Sequence, residues 1–201
     1  MDASPDRNRR IRPLHLASGL LILIFLALHM ANHLAMFAGQ AAHIEMMSRV
    51  RPFYRNALVE PLLLSALVFQ IGSGLAMIWR TRSSRTGYIP WLQAGSGIVL
   101  ALFLLNHVIA VLAGRFTLGL DTNYHFAAAG FHAGLATFFV PYYFLGVASL
   151  FVHVACALSW HIRSRTIPLF VALGGIALAF GLVVTMWGDP AIPDRYLETH
   201  R

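Results

Sequence analysis

The chain has 201 residues, 58% of them hydrophobic and 11% charged. Soluble domains carry about a quarter charged residues, so composition excludes an ordinary soluble protein. The formal charge of +7 rests on arginines placed between apolar runs, which makes it a question of membrane sidedness and excludes a nucleic-acid partner.

Five windows lack Asp, Glu, Lys and Arg: Pro13 to Ile44, Pro61 to Trp79, Thr86 to Gly114, Thr122 to Ile162 and Thr166 to Gly188. Each holds an apolar core of about 20 residues, the helix length that crosses a hydrocarbon layer of about 30 Å. The expected fold class is therefore all-α, a polytopic membrane protein with five transmembrane helices. In chain order, residues 1–12 are expected to form a cytoplasmic, arginine-rich tail near anionic lipid headgroups, ahead of a five-helix domain over 13–187. The first span is expected over about 13–38, opened by Pro13, whose missing N–H suits a first helical turn. It is too long for the apolar region of a signal peptide and carries histidines, so it is read as retained.

An outer loop over 39–56, containing His43, should lead to a second span over about 57–79, with Pro61 in its first turn. An inner turn over 80–90 precedes a third span over about 91–113. The longest outer connection, 114–134, carries Asp121, Asn123, His125 and His132 and is expected as a surface loop with one short interfacial helix. A fourth span over about 135–160 presents the stripe Tyr142, Gly146, Ser149, His153, Cys156 and Trp160. The fifth, about 167–187, has no ionisable group, and Gly174, Gly175 and Gly181 read as close-packing positions. Residues 188–201 are expected as a polar, poorly ordered outer tail.

With five spans, Arg7, Arg9, Arg10, Arg12, Arg80, Arg82, Arg85, Arg163 and Arg165 fall on one side, opposed only by Asp2 and Asp6. On the other side Arg49, Arg51, Arg55, Arg115, Arg195 and Arg201 are balanced by acidic residues, Asp189 among them. The positive-inside rule then puts the N-terminus in the cytoplasm and the C-terminus outside. An arginine-only basic set fits a GC-rich bacterial genome and hence a bacterial plasma membrane.

Two spans repeat each other. His15, Ser18-Gly19 and His29 recur as Gln93, Ser96-Gly97 and His107 at the same separations. At about 100° per residue, His15, Ser18, Ile22, Leu26, His29 and His33 share one stripe, as do Gln93, Ser96, Leu100, Leu104 and His107. If the two helices run side by side in one direction, His29 and His107 point into a shared slot, the arrangement a bis-histidine haem iron needs. Intramembrane ionisable residues are costly, and two facing neutral imidazoles lack an acceptor unless something lies between them. Cys156 is the sole cysteine, so a haem would be bound without covalent attachment. The competing expectation is that such histidines only bridge helices or bind a metal without haem.

His33 stands four residues after His29, but its counterpart in the third span is Val111, so His29 is expected as the ligand. A haem propionate, a quinone or the outer loop is left for His33. Spans two and four match more loosely, through Pro61, Gln70 and Trp79 beside Pro141, His153 and Trp160. Two hairpins in a four-helix bundle, with a peripheral fifth helix, are therefore expected. Gln70 and His153 are natural opposites near the inner face. Glutamine is a poor iron ligand, so this pair is open to a second haem or to a quinone carbonyl. His15, Ser18, Gln93 and Ser96 lie at the same level and could join them or merely bridge helices.

These features resemble the five-helix cytochrome b membrane subunit of succinate dehydrogenases and fumarate reductases: His15 followed by His29, Leu92-Gln93 running to His107, and Gly146 running to His153. The resemblance implies a bundle holding haem b, exchanging electrons with quinone and anchoring a flavoprotein and an iron-sulfur subunit on the cytoplasmic side. In two-haem members of that family the outer haem takes the positions of His29 and His107. The inner haem takes a fourth-span ligand, matching His153, and a second-span ligand, where this chain has Gln70. The chain would then be a quinone-reacting or non-catalytic subunit of an oxidoreductase. The alternative is a stand-alone membrane cytochrome reducing another acceptor through the segment from Arg115 to His132.

Overall fold

The computed structural model describes residues 5–188 and 191–198, with side chains from residue 10 onward. Residues 1–4 of the expected tail with Asp2, and Asp189 and Arg201 of the expected outer tail, lie outside the described residues. Among the described residues the chain is all-helical, without strands. Five segments are long and apolar enough to cross a membrane: Arg10–Ala38, Val59–Arg80, Tyr88–Phe116, Ala136–Ser159 and Thr166–Gly188. Large apolar side chains such as Ile24, Val68, Leu102 and Phe170 stand more than 65% exposed, the pattern of helices whose outer faces meet lipid. The chain divides into two compact units, Met1–Thr86 and Gly87–Arg201, each described by itself.

In the first unit, α1 runs Pro5–Leu34. The expected start at Pro13 is corrected. Pro5 takes the first helical position, and Pro13 lies within the helix, where it forfeits its own N–H bond. After a 3-10 turn, Ala35–Ala38, Gly39 adopts φ 107°, a conformation that favours glycine and redirects the chain into α2, Gln40–Tyr54. The expected 39–56 loop is thus mostly helix. His43 and Met47, one turn apart, are buried, and their face is turned to α1. Asn56 Oδ1 accepts the N–H groups of Leu58 and Val59, which starts α3, Val59–Arg80. α3 returns along α1 as a hairpin. Its C-terminal carbonyls are closed by arginines: Arg82 donates to Trp79 O at 2.7 Å and Arg85 to Ile78 O at 2.9 Å.

In the second unit, α4 spans Tyr88–Phe116, α5 Tyr124–His132, α6 Ala136–Ser159, α7 Thr166–Gly188 and α8 Asp194–Leu197. α6 is central, with α4 on one side and α7 on the other. α7, expected as a fifth helix beside the hairpins, runs along α6 in the most extensive helix pair of the chain. Small residues permit this. A Cβ at Gly146 would overlap the Phe103 ring of α4, and one at Gly175 would overlap Phe151 Cβ. The 114–134 segment carries the one short helix expected of it, α5, but that helix is not interfacial: Tyr124, Ala128, Ala129, Gly130 and Phe131 are buried, with Asn123 capping the helix. Nor is the C-terminal tail loose over its described part. Tyr196 of α8 is fully buried, because α8 packs on α5. His132 Nε2 donates to Met186 O at 2.9 Å and Tyr124 Oη to Thr185 O at 3.4 Å, so α5 covers the carbonyl end of α7.

Candidate functional site

Each unit repeats the same two features along its first long helix. The first is a polar seam. In the first unit Gln70 Nε2 donates to His15 Nε2 at 3.0 Å, which leaves the ring proton of neutral His15 on Nδ1, donating to Ser73 Oγ at 2.8 Å. Ser18 Oγ donates to Gln70 Oε1 at 2.5 Å and lies 3.1 Å from its own turn carbonyl, His15 O. In the second unit His153 Nδ1–H donates to Gln93 O at 3.1 Å, with Ser96 Oγ at 3.4 Å. Trp160 Nε1 donates to Gln93 Oε1 at 2.9 Å.

The sequence-predicted residues therefore fall into two groups, His15, Ser18 and Gln70 in one hairpin and Gln93, Ser96 and His153 in the other. Gln70 and His153, expected as opposites, each find partners inside their own hairpin. The chemistry of the two seams differs. Both ring nitrogens of His15 are engaged in bridging α1 to α3. His153 spends Nδ1–H on a backbone carbonyl, the arrangement that fixes the tautomer of a metal-ligating histidine and leaves its lone pair on Nε2.

The second repeated feature joins the paired histidines to aromatic rings. His29 stacks on Phe25 with centroids 5.4 Å apart and planes 22° from parallel; His107 stacks on Phe103 at 5.5 Å and 17°. Both phenylalanines sit one turn before their histidines, so the repeat is Ser-Gly-x5-Phe-Leu-x2-His in each span. The spacing lies in the sequence, while the stacking is a property of the folded helices.

His33, expected to reach a ligand or the outer loop, lies with Nε2 3.2 Å from His29 Nε2 and its ring 5.6 Å from that of His43. His43 Nε2 accepts from Asn32 Nδ2 at 3.0 Å. Helix spacing alone gives no sign of the His43–Asn32 contact. The signal for the burial of His43 was its i, i+4 pairing with Met47, which a polar segment masks. Burial, reinforced by the nearby Arg51 guanidinium, pushes the His43 pKa down to about 4, so the ring is neutral at physiological pH.

Within its own unit, each of His29 and His107 is a neutral-donor imidazole backed by a phenylalanine ring on an apolar helix, a side-chain chemistry that suits a haem-iron ligand. Among the described residues, no group of three or more His, Cys, Asp or Glu side chains is disposed to hold a metal ion. No family model, curated protein or solved structure matches the chain. Fold and site define the class: an all-helical, multi-pass membrane protein whose helices meet lipid.

Proposed function

We propose that the chain is a haem b-carrying membrane subunit that exchanges electrons with quinone, with His29 and His107 as the axial ligand pair. The observation that carries this reading is the repeated Ser-Gly-x5-Phe-Leu-x2-His helix, together with the matching His-on-Phe stack in both units. A bound haem would supply one-electron redox chemistry, while the chain supplies two imidazoles and an apolar surround. The engagement of Gln70 by Ser18 and His15 favours one haem over two. His153, with Nδ1–H on Gln93 O, is the residue left for quinone or a second haem.

The same reading places the chain with the membrane anchors of succinate dehydrogenases and fumarate reductases, in a bacterial plasma membrane with the N-terminus cytoplasmic. Flavoprotein and iron-sulfur partners would dock on the arginine-rich side. The distribution of arginines supports that orientation.

The test is the spectrum and haem-to-protein ratio of the purified chain, expressed with haem in excess. A reduced b-type spectrum at about one haem per chain is the result expected of a single bis-histidine site. A folded, colourless protein would overturn it and leave histidines that only hold helices together.

A further inference from the structure

Each candidate ligand ring belongs to a three-ring cluster. Phe25 lies between His29 and Tyr54 of α2, whose ring meets it edge-on at 5.2 Å and 71°. Phe103 lies between His107 and Tyr142 of α6, at 4.8 Å and 40°. Tyr142 Oη also donates to Phe103 O at 3.2 Å, and Gly146, lacking a Cβ, leaves room for the Phe103 ring. The tyrosines come from unlike elements, a short outer helix in one unit and a long span in the other. The sequence repeat does not extend to them, so the same construction has been reached with different parts.

A histidine on a helix has a broad preference about its second side-chain torsion, so backbone position alone leaves the imidazole plane unset. A nearly parallel phenylalanine one turn earlier selects one plane, and a tyrosine from a second element keeps that phenylalanine from turning. We propose that Phe25 and Phe103 are positioning residues that preset the ring planes of His29 and His107 for iron, with Tyr54 and Tyr142 as their clamps. This rests on the haem reading above. It adds that ligand orientation, and through it the electronic state of the iron, is set by the aromatic pair and not by the histidines alone.

Two measurements test it. In haem-free protein carrying 13C-histidine, a ring stacked on phenylalanine has its imidazole signals displaced by the aromatic ring current. Phe25→Leu should move one histidine's signals toward the ordinary range, the same signals that vanish in His29→Ala, leaving only the displacement due to the neighbouring His33 ring; Phe103→Leu should do so for His107. In haem-loaded protein, Phe25→Leu and Phe103→Leu should keep haem bound but move the low-spin ferric resonance and the midpoint potential, whereas Phe25→Tyr and Phe103→Tyr should restore both.

Wild-type histidines without ring-current displacement would overturn the proposal whether or not the variants fold. Haem-loaded leucine variants with unchanged resonance and potential would overturn it while leaving haem binding intact. A wild-type chain that takes up no haem would overturn both readings.

Discussion

Gln70 of α3 donates to His15 of α1 at 3.0 Å, and this single bond assigns the ring proton of a histidine inside a membrane span. With Nε2 accepting, Nδ1 donates to Ser73, and Ser18 completes the seam on the other side of the glutamine. A neutral histidine is thereby kept without an unmatched polar atom on its ring. That is the condition for carrying one through hydrocarbon at low cost.

Gln70→Leu removes the donor to His15 and the acceptor for Ser18. Interhelical hydrogen bonds in membranes average about 0.6 kcal/mol, so a loss of about 1 kcal/mol in resistance to SDS unfolding is expected. The double variant His15→Leu, Gln70→Leu should lose less than its two parents together, because each single change strands the other's partner. Strict additivity would show that the two side chains do not cooperate.

His107→Ala should abolish the haem spectrum, whereas His33→Ala should retain it. His33 meets His29 Nε2 at 3.2 Å, and in the second unit the equivalent position is Val111, so His33 is not part of the repeated ligand set. Pyridine haemochrome assay of the two purified variants decides; the opposite pattern would move the ligand from the repeated positions to His33.

Gly175→Val should disrupt the α6–α7 pair, because a Cβ there overlaps Phe151 Cβ, close to the backbone and unable to swing aside. Overpacking of this kind costs about 1–3 kcal/mol. At neighbouring Gly174 nothing lies within 4 Å of an added Cβ, so Gly174→Val should be tolerated there. Thermal denaturation in detergent should separate the two variants.

Acid should loosen α2 from α1 through His43. Its folded pKa of about 4 lies below the unfolded value of about 6.5, so the unfolded chain binds this proton first as pH falls. The stabilisation from neutral His43 is complete above about pH 6.5 and is lost progressively as pH falls through 4. Protonation also puts an N–H where Asn32 Nδ2 now donates. Amide exchange over residues 41–54, corrected for intrinsic rates, should quicken between pH 7 and 4.5, and His43→Leu should remove that response.

The spans were legible because charge-free windows and membrane thickness constrain length without reference to packing. Boundaries were legible where breakers act alone, as at Gly39, and misread where a proline permits helix on both sides, as at Pro13. The helix in 39–56 and the burial of the short helix in 114–134 escaped the sequence for one reason. Polar residues such as Glu45, Arg49, Asp121 and Asn123 announce solvent, while the helices they introduce bury His43 and Met47 in one unit and Tyr124 and Phe131 in the other.

By itself the amino-acid order determined five apolar runs of membrane length, arginines confined between them and a duplicated Ser-Gly to His spacing, since each is a one-dimensional periodicity or a run length. Tertiary structure alone decided that Gln70 is occupied by His15 and Ser18, that His153 faces the Gln93 carbonyl, and that tyrosines from unlike elements meet Phe25 and Phe103. Those relations depend on which residues from distant parts of the chain reach the same height on neighbouring helices. Spacing along one helix carries no information about that.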